Sequence, residues 1–101
     1  MCYPDIKRLE DNQLEPGAEI LRALAHPIRL QMVQLLLEGE KTVTEIHSTL
    51  GIKQSSASQQ LSLMKTRGVL KSRRSGNRTH YSLARPGIGQ LISCLHACAS
   101  Q

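Results

Sequence analysis

Gln54-Ser55-Ser56-Ala57-Ser58-Gln59-Gln60 concentrates amides and hydroxyls in a run that no hydrophobic core requires. A Gln amide can bond an adenine edge through two hydrogen bonds, and a Ser hydroxyl can serve bases or phosphates. Further along, Arg73 and Arg74 precede Ser75-Gly76-Asn77 and Arg78 follows it, which places guanidinium groups around a turn. Guanidinium forks suit phosphate oxygens. Cys94 and Cys98 stand four positions apart, and Cys2 is the third thiol. Three converging thiolates would suit a soft ion such as arsenite, and two would suit a redox or persulfide switch. No Asp or Glu follows Glu45, so the formal charge is about −3 up to that residue (five cations, eight carboxylates) and +8 beyond it. A basic half with nothing to offset it must meet a polyanion or tolerate its own repulsion.

The chain that positions these groups has 101 residues, one domain's worth. Residues 1–15 read as an N-terminal arm and 16–101 as the folded domain. With no Phe or Trp and two Tyr, the core must come from Leu, Ile, Val, Met and Ala. A core that thin gains from a dimer partner. No run suggests a membrane span, and the first residues hold no apolar stretch of the secretory kind. Three unevenly spaced cysteines do not form a disulfide framework. The expectation is a cytoplasmic protein with thiols reduced by default. No Ser/His/Asp arrangement, phosphate loop or carboxylate pair stands out, so neither enzyme activity, a cofactor nor a metal site is expected.

Pro16 suits the first position of a helix running to His26, with Ile20, Leu21, Leu24 and Ala25 at helical spacing. Pro27 ends that helix and opens a second, 28–37, which is apolar nearly all round and belongs in the middle of a core. Thr42-Val43-Thr44-Glu45 is a capping box opening a third helix, and Gly51 ends it. A fourth helix over 54–67 carries a narrow apolar stripe of Ala57, Leu61 and Met64 on a Ser/Gln-rich cylinder. Val69–Arg74 and Arg78–Leu83 read as the two strands of a hairpin. A last helix, 86–99, has Ile88, Leu91, Ile92, Leu95 and Ala99 on one face. The fold class is mainly α with a small β-hairpin, in the order ααααββα.

Two short helices joined by a tight Gly-containing turn make a helix-turn-helix. Its second helix would enter the major groove by its N-terminal part, which here is Gln54 to Gln60. A hairpin carrying Arg73, Arg74, Asn77 and Arg78 beside such a unit is a wing, whose backbone contacts position more than they specify. This is a winged helix-turn-helix facing double-stranded DNA.

LRALAHPIRLQMVQLL and TVTEIHSTLGIKQSSASQQLSLMKTRGVLKSRRSGNRTHYSL closely resemble the ArsR/SmtB family of bacterial winged-helix regulators, over about residues 20–83. The resemblance implies a homodimer held by the first and last helices, and a repressor that leaves a pseudo-palindromic operator when an effector arrives. It maps Gln54, Ser55, Ser56, Ser58 and Gln59 onto the recognition helix, and Arg73, Arg74 and Arg78 onto the wing. Lys53 departs from the family's usual Ser at the recognition-helix N-cap. Lysine caps poorly but could reach a phosphate.

The sensing sites that the family implies are missing from several of their usual places. The arsenic-type Cys-x-Cys has no counterpart in Thr42–His47, and the zinc-type Asp-x-His of the last helix is replaced by Arg85-Pro86-Gly87. The second helix lacks the cysteine of the persulfide-sensing subgroup. What remains is Cys94, Cys98 and Cys2, facing a small thiol-reactive effector or serving only as interface packing. A disulfide between Cys94 and Cys98 would be strained within one regular helix, so a bond to Cys2 or across a dimer axis is the easier geometry. His26 is expected to cap the second helix or pack at an interface, and His47 and His80 to lie at the surface or on the phosphate side. A winged helix that binds protein rather than DNA is the competing possibility.

Overall fold

The computed structural model describes residues 7–100. Helices α1 (Asp11–Leu24) and α2 (Pro27–Leu36) lead to a short strand β1 (Lys41–Thr42). Helices α3 (Val43–Leu50) and α4 (Gln54–Thr66) follow, then the hairpin β2 (Leu70–Ser75) and β3 (Arg78–Leu83), and last α5 (Ile88–Ala99). The winged helix-turn-helix expected from sequence is the fold observed, with β1 as an additional strand. Among the described residues no helix is long and apolar enough to cross a membrane.

Helix α1 begins at Asp11, ahead of the expected start at Pro16, which lies inside it. Glu10 and Gln13 form a capping box, with the Glu10 N–H donating to Gln13 Oε1 at 2.9 Å. With the helix opened at Asp11, Pro16 lies in its interior and forgoes the bond its nitrogen would have given to the Asn12 carbonyl. Residues 11–15 thus form the first turns of α1. At the α1–α2 joint, His26 is the N-cap: its Nδ1 accepts from the Ile28 N–H at 3.1 Å, and Pro27 takes the first turn. Arg29 then fastens three elements together. Its Nη1 donates to the carbonyls of Arg22 (3.2 Å) and Ala23 (3.4 Å) at the end of α1, and its Nε to Gln60 Oε1 on α4 at 2.7 Å.

The core gathers Met32, Val33 and Leu36 of α2, Ile46 of α3, the whole Ala57–Leu61–Met64 stripe of α4, Val69, Leu70, Tyr81 and Ile88. Helix α2 is not enclosed all round as its composition suggests, because Leu37 at its end is exposed. Thr42 serves both β1 and α3. It pairs with His80 across the sheet, its Oγ1 accepts from the Glu45 N–H at 3.2 Å, and its own N–H donates to Glu45 Oε1 at 2.8 Å. The Thr42 backbone N–H, and after it the Thr42 Oγ1–H donating to Glu45 Oε1 at 3.1 Å, hold the Glu45 carboxyl below its usual range. Thr42→Ala should cost about 1 kcal/mol of stability, or roughly 4–8 °C in Tm for a domain of this size. A depressed carboxylate stabilises above its ordinary pKa and ceases to as pH falls through the folded value. Of the bonds to that carboxyl, Thr42→Ala keeps the backbone one and loses only the Oγ1–Glu45 Oε1 contact, so the gap between the two melting curves should narrow in part on acidification below about pH 4, and a gap that widens would contradict the capping box.

The antiparallel sheet has the order β1-β3-β2, in register from Leu70↔Leu83 to Ser75↔Arg78. Gly76, at φ 64°, takes the first position of the two-residue turn, which a side chain would strain. Alternation puts Leu70, Ser72 and Arg74 with Leu83, Tyr81 and Thr79 on the face toward the helices. Lys71 and Arg73 share the opposite face with Ser82 and His80.

Candidate nucleic-acid interface

The α3–α4 turn is fixed by backbone geometry. Gly51 adopts φ 68° and ψ 32°, and the N–H groups of Gly51 and Ile52 both reach the carbonyl of His47. His47 Nδ1 lies 3.2 Å from the Ile52 carbonyl. This half-buried imidazole braces the turn rather than lying on a phosphate-facing surface, as its place in the sequence suggested.

On α4, the buried stripe leaves Gln54, Ser55, Ser56 and Gln59 exposed and Ser58 half-buried. Lys53 is the N-cap and makes no side-chain cap bond, so the first-turn N–H groups are left to solvent or to an anion. Gln60 stands apart from the others. Its amide oxygen is engaged by Arg29, on the side that faces the α1–α2 joint.

The wing tip and the start of α4 enclose one cleft of about 210 Å³, lined by Thr42, Val43, Thr44, Gln54, Ser58, Asn77, Arg78 and Thr79. Four residues that the sequence singled out from two separate segments (Gln54, Ser58, Asn77 and Arg78) thus border a single groove. Thr44 and Thr79 were not singled out. Thr44 sits in the first turn of α3 directly after the cap, and only the packing of α3 against the wing turns that position into groove wall. Arg74 lies on the groove side of the hairpin, with its Nη1 3.4 Å from Thr79 Oγ1. Arg73 lies on the other side. Its Nε is 3.1 and 2.9 Å from the two Glu40 carboxylate oxygens, and its Nη2 is 2.7 Å from one of them. This guanidinium is the main reason that the Glu40 carboxyl stays below its usual range.

The cations of the acid-free half fall into two groups. Arg67 pairs with Glu19 at 3.4 Å, Arg73 with Glu40, and Arg85 donates to the Gly68 carbonyl at 3.1 Å. Lys53, Lys65, Lys71, Arg74 and Arg78 have no carboxylate partner among the described residues. Of these, Lys53, Arg74 and Arg78 lie by the groove and Lys71 on the opposite sheet face, and cations so placed beside an exposed Ser/Gln helix face are electrostatically and geometrically suited to a duplex.

Two of the thiols lie on α5. Cys94 is half-buried and disulfide-bonded, Cys98 is a free, exposed thiol, and Cys2 lies outside the described residues. Cys94 lines a cavity of about 770 Å³ together with Lys7, Leu9, Gly87, Gln90, Leu91 and Ser93, so residues 7 and 9 lie beside α5. Among the described residues no three His, Cys, Asp or Glu side chains come together as a metal site.

Residues 26–72 match the family described as "Bacterial regulatory protein, arsR family". The chain is 40% identical over 77 residues to the HTH-type transcriptional regulator Rv0081 of Mycobacterium tuberculosis, covering 75% of this chain and 68% of that one. It is 36% identical over 86 residues to the biofilm growth-associated repressor of Xylella fastidiosa, covering 83% and 75%. Its fold superposes with a TM-score of 0.78, at 30% identity over 94% of this chain and 91% of the other, on Mb0332 of Mycobacterium bovis, described as a homodimeric winged helix-turn-helix DNA-binding domain.

Proposed function

The chain belongs to the arsR family of bacterial regulatory proteins and is a DNA-binding transcriptional regulator, and we propose that it is a homodimeric repressor released from its operator by oxidation at Cys94. The observation that carries the DNA-binding half is the shared groove: recognition-helix residues Gln54 and Ser58 face wing residues Asn77 and Arg78 across it. Lys53, Ser55, Ser56, Gln59 and Arg74 extend that surface. A relative bearing the name repressor supports repression over activation.

Dimerisation is supported by the surface of α1 and α5. Leu9, Leu14, Leu21, Leu37 and Leu95 are exposed, an unusual load for a domain with so thin a core. Leu9, Leu14, Ile20, Leu21 and Leu91 line one apolar depression of about 360 Å³. A second copy of the chain would cover it, and the homodimer described for the Mb0332 domain favours that occupant. Two recognition helices would then enter successive major grooves about one helical turn apart.

The thiol half rests on the state of α5. Cys94 is in a disulfide and Cys98 is not, which separates two cysteines that the sequence left equivalent. We assign Cys2 as the second thiol, because Lys7 and Leu9 bring the N-terminal segment to the Cys94 cavity. In the proposed step two thiols lose two protons and two electrons to a peroxide, which leaves as water while the S–S bond forms. Tying the N-terminal segment to α5 alters the packing of the dimer seam, and the two reading heads no longer match the half-site spacing.

The test is a gel-shift series on the region upstream of the protein's own gene. Peroxide treatment should weaken operator binding by wild type at least tenfold, with recovery on reduction, and should leave Cys94→Ser unaffected. Cys98→Ser should respond as wild type does. If Cys94→Ser loses affinity on oxidation as wild type does, the sensing proposal fails and Cys94 is a packing residue.

A further inference from the structure

Every carboxylate of this chain lies at or before Glu45, yet one of them reaches the wing. Glu40, 33 positions before Arg73, accepts three guanidinium contacts from it at 2.7–3.1 Å. His80, Arg73's cross-strand partner, places its Nδ1 3.7 Å from the same carboxylate. The cluster occupies the sheet face turned away from the groove, where Glu40, Lys71, Ser72, Arg73 and Ser82 border a separate cavity of about 320 Å³.

We propose that Glu40 is a positioning residue of the DNA interface: it holds Arg73 on the outer sheet face, out of phosphate contact, and so limits the number of wing cations that a duplex meets. This rests on the DNA-binding reading given above. A guanidinium edge engaged by two carboxylate oxygens cannot offer the same fork to a phosphate. Phosphate contacts raise affinity for every sequence alike, whereas base contacts discriminate. Withholding one arginine per subunit therefore weakens binding to irrelevant DNA and leaves base readout by Gln54 and Gln59 untouched. The adjacent arginines of the wing take different roles, Arg74 on the groove face and Arg73 held in reserve. In a half of the chain without acids of its own, that division needs a carboxylate supplied from elsewhere, and Glu40 supplies it.

Glu40→Gln removes the charge and keeps the shape. Binding of the full chain to its operator and to a scrambled duplex would be followed by fluorescence anisotropy across a salt series, with melting curves to confirm the fold. If Glu40 withholds Arg73, the variant gains one phosphate contact per subunit. Its plot of log affinity against log salt should steepen by about 2 for a dimer, with about tenfold tighter binding to the scrambled duplex at low salt. Glu40→Gln combined with Arg73→Ala should return to the wild-type slope, which a merely structural role for Glu40 does not predict. A folded Glu40→Gln protein with an unchanged or shallower slope overturns the proposal. Wild type that binds no duplex in a salt-dependent way overturns the DNA-binding reading instead, and this proposal with it.

Discussion

Operator affinity should fall by about 10³–10⁵-fold between 50 and 200 mM salt, the response of a protein that makes roughly 6–10 phosphate contacts. The basis is the set of cations without carboxylate partners, with Arg74, Arg78 and Lys53 placed around the candidate groove and doubled in the proposed dimer. Arg78→Ala should weaken binding to operator and scrambled duplex alike and reduce the salt slope by about 1 per subunit. Gln59→Ala on the exposed face of α4 should act in the opposite sense, leaving the slope alone and eroding preference for the operator, by about 1–3 kcal/mol if the amide makes a bidentate base contact. Anisotropy titrations of both variants on both duplexes separate the two effects. A flat salt response in wild type would remove the phosphate-contact basis, and with it the assignment of the wing.

The recognition helix and the hairpin were legible because their signals are local. Ala57, Leu61 and Met64 repeat at helical spacing, Thr42-x-x-Glu45 caps α3, and Ser75-Gly76-Asn77 turns the strands, so each element identifies itself within a few residues. Strand β1 was missed because two residues carry no periodicity. Lys41 and Thr42 become a strand only once Tyr81 and His80 pair with them. The start of α1 was misplaced because Pro16 gives a strong but permissive signal, while the Glu10/Gln13 box is a weak variant of the Ser/Thr pattern. Within the candidate site, residue types marked out the proposed DNA-facing set and tertiary contacts subdivide it. Nothing near Gln60 in sequence indicates that Arg29 occupies its amide, 31 positions away. Arg73 and Arg74 are indistinguishable as a dipeptide, and the strand's alternation sends them to opposite faces. The cysteines followed the same course: spacing made Cys94 and Cys98 a pair, and the structure distinguishes them, Cys94 disulfide-bonded and Cys98 a free, exposed thiol.

Leu61→Ala should be the most destabilising single change on α4, at about 2–5 kcal/mol against a total for such domains of roughly 5–15 kcal/mol. Leu61 is fully buried, between Ala57 and Met64 on a stripe that also meets α3 and the wing. Truncating it leaves a cavity that short helices tied by Arg29 and the Gly51 turn cannot collapse to fill. The melting temperature should fall by at least about 10 °C, and DNA binding should be lost at temperatures where wild type still binds. The loss should be partly recovered at higher protein concentration, since a dimer partner stabilises the folded form by mass action. Ser62→Ala, one residue along on the exposed face, should shift stability by no more than about 0.5 kcal/mol. The two substitutions test one claim from opposite sides of α4. The proposed reading role of this helix depends on a narrow apolar stripe: three buried residues suffice to anchor it, and the rest of its circumference stays free for amides and hydroxyls. If Leu61→Ala melted within about 1 °C of wild type, α4 would not be anchored by this stripe, and the placement of Gln54, Ser58 and Gln59 would lose its physical basis.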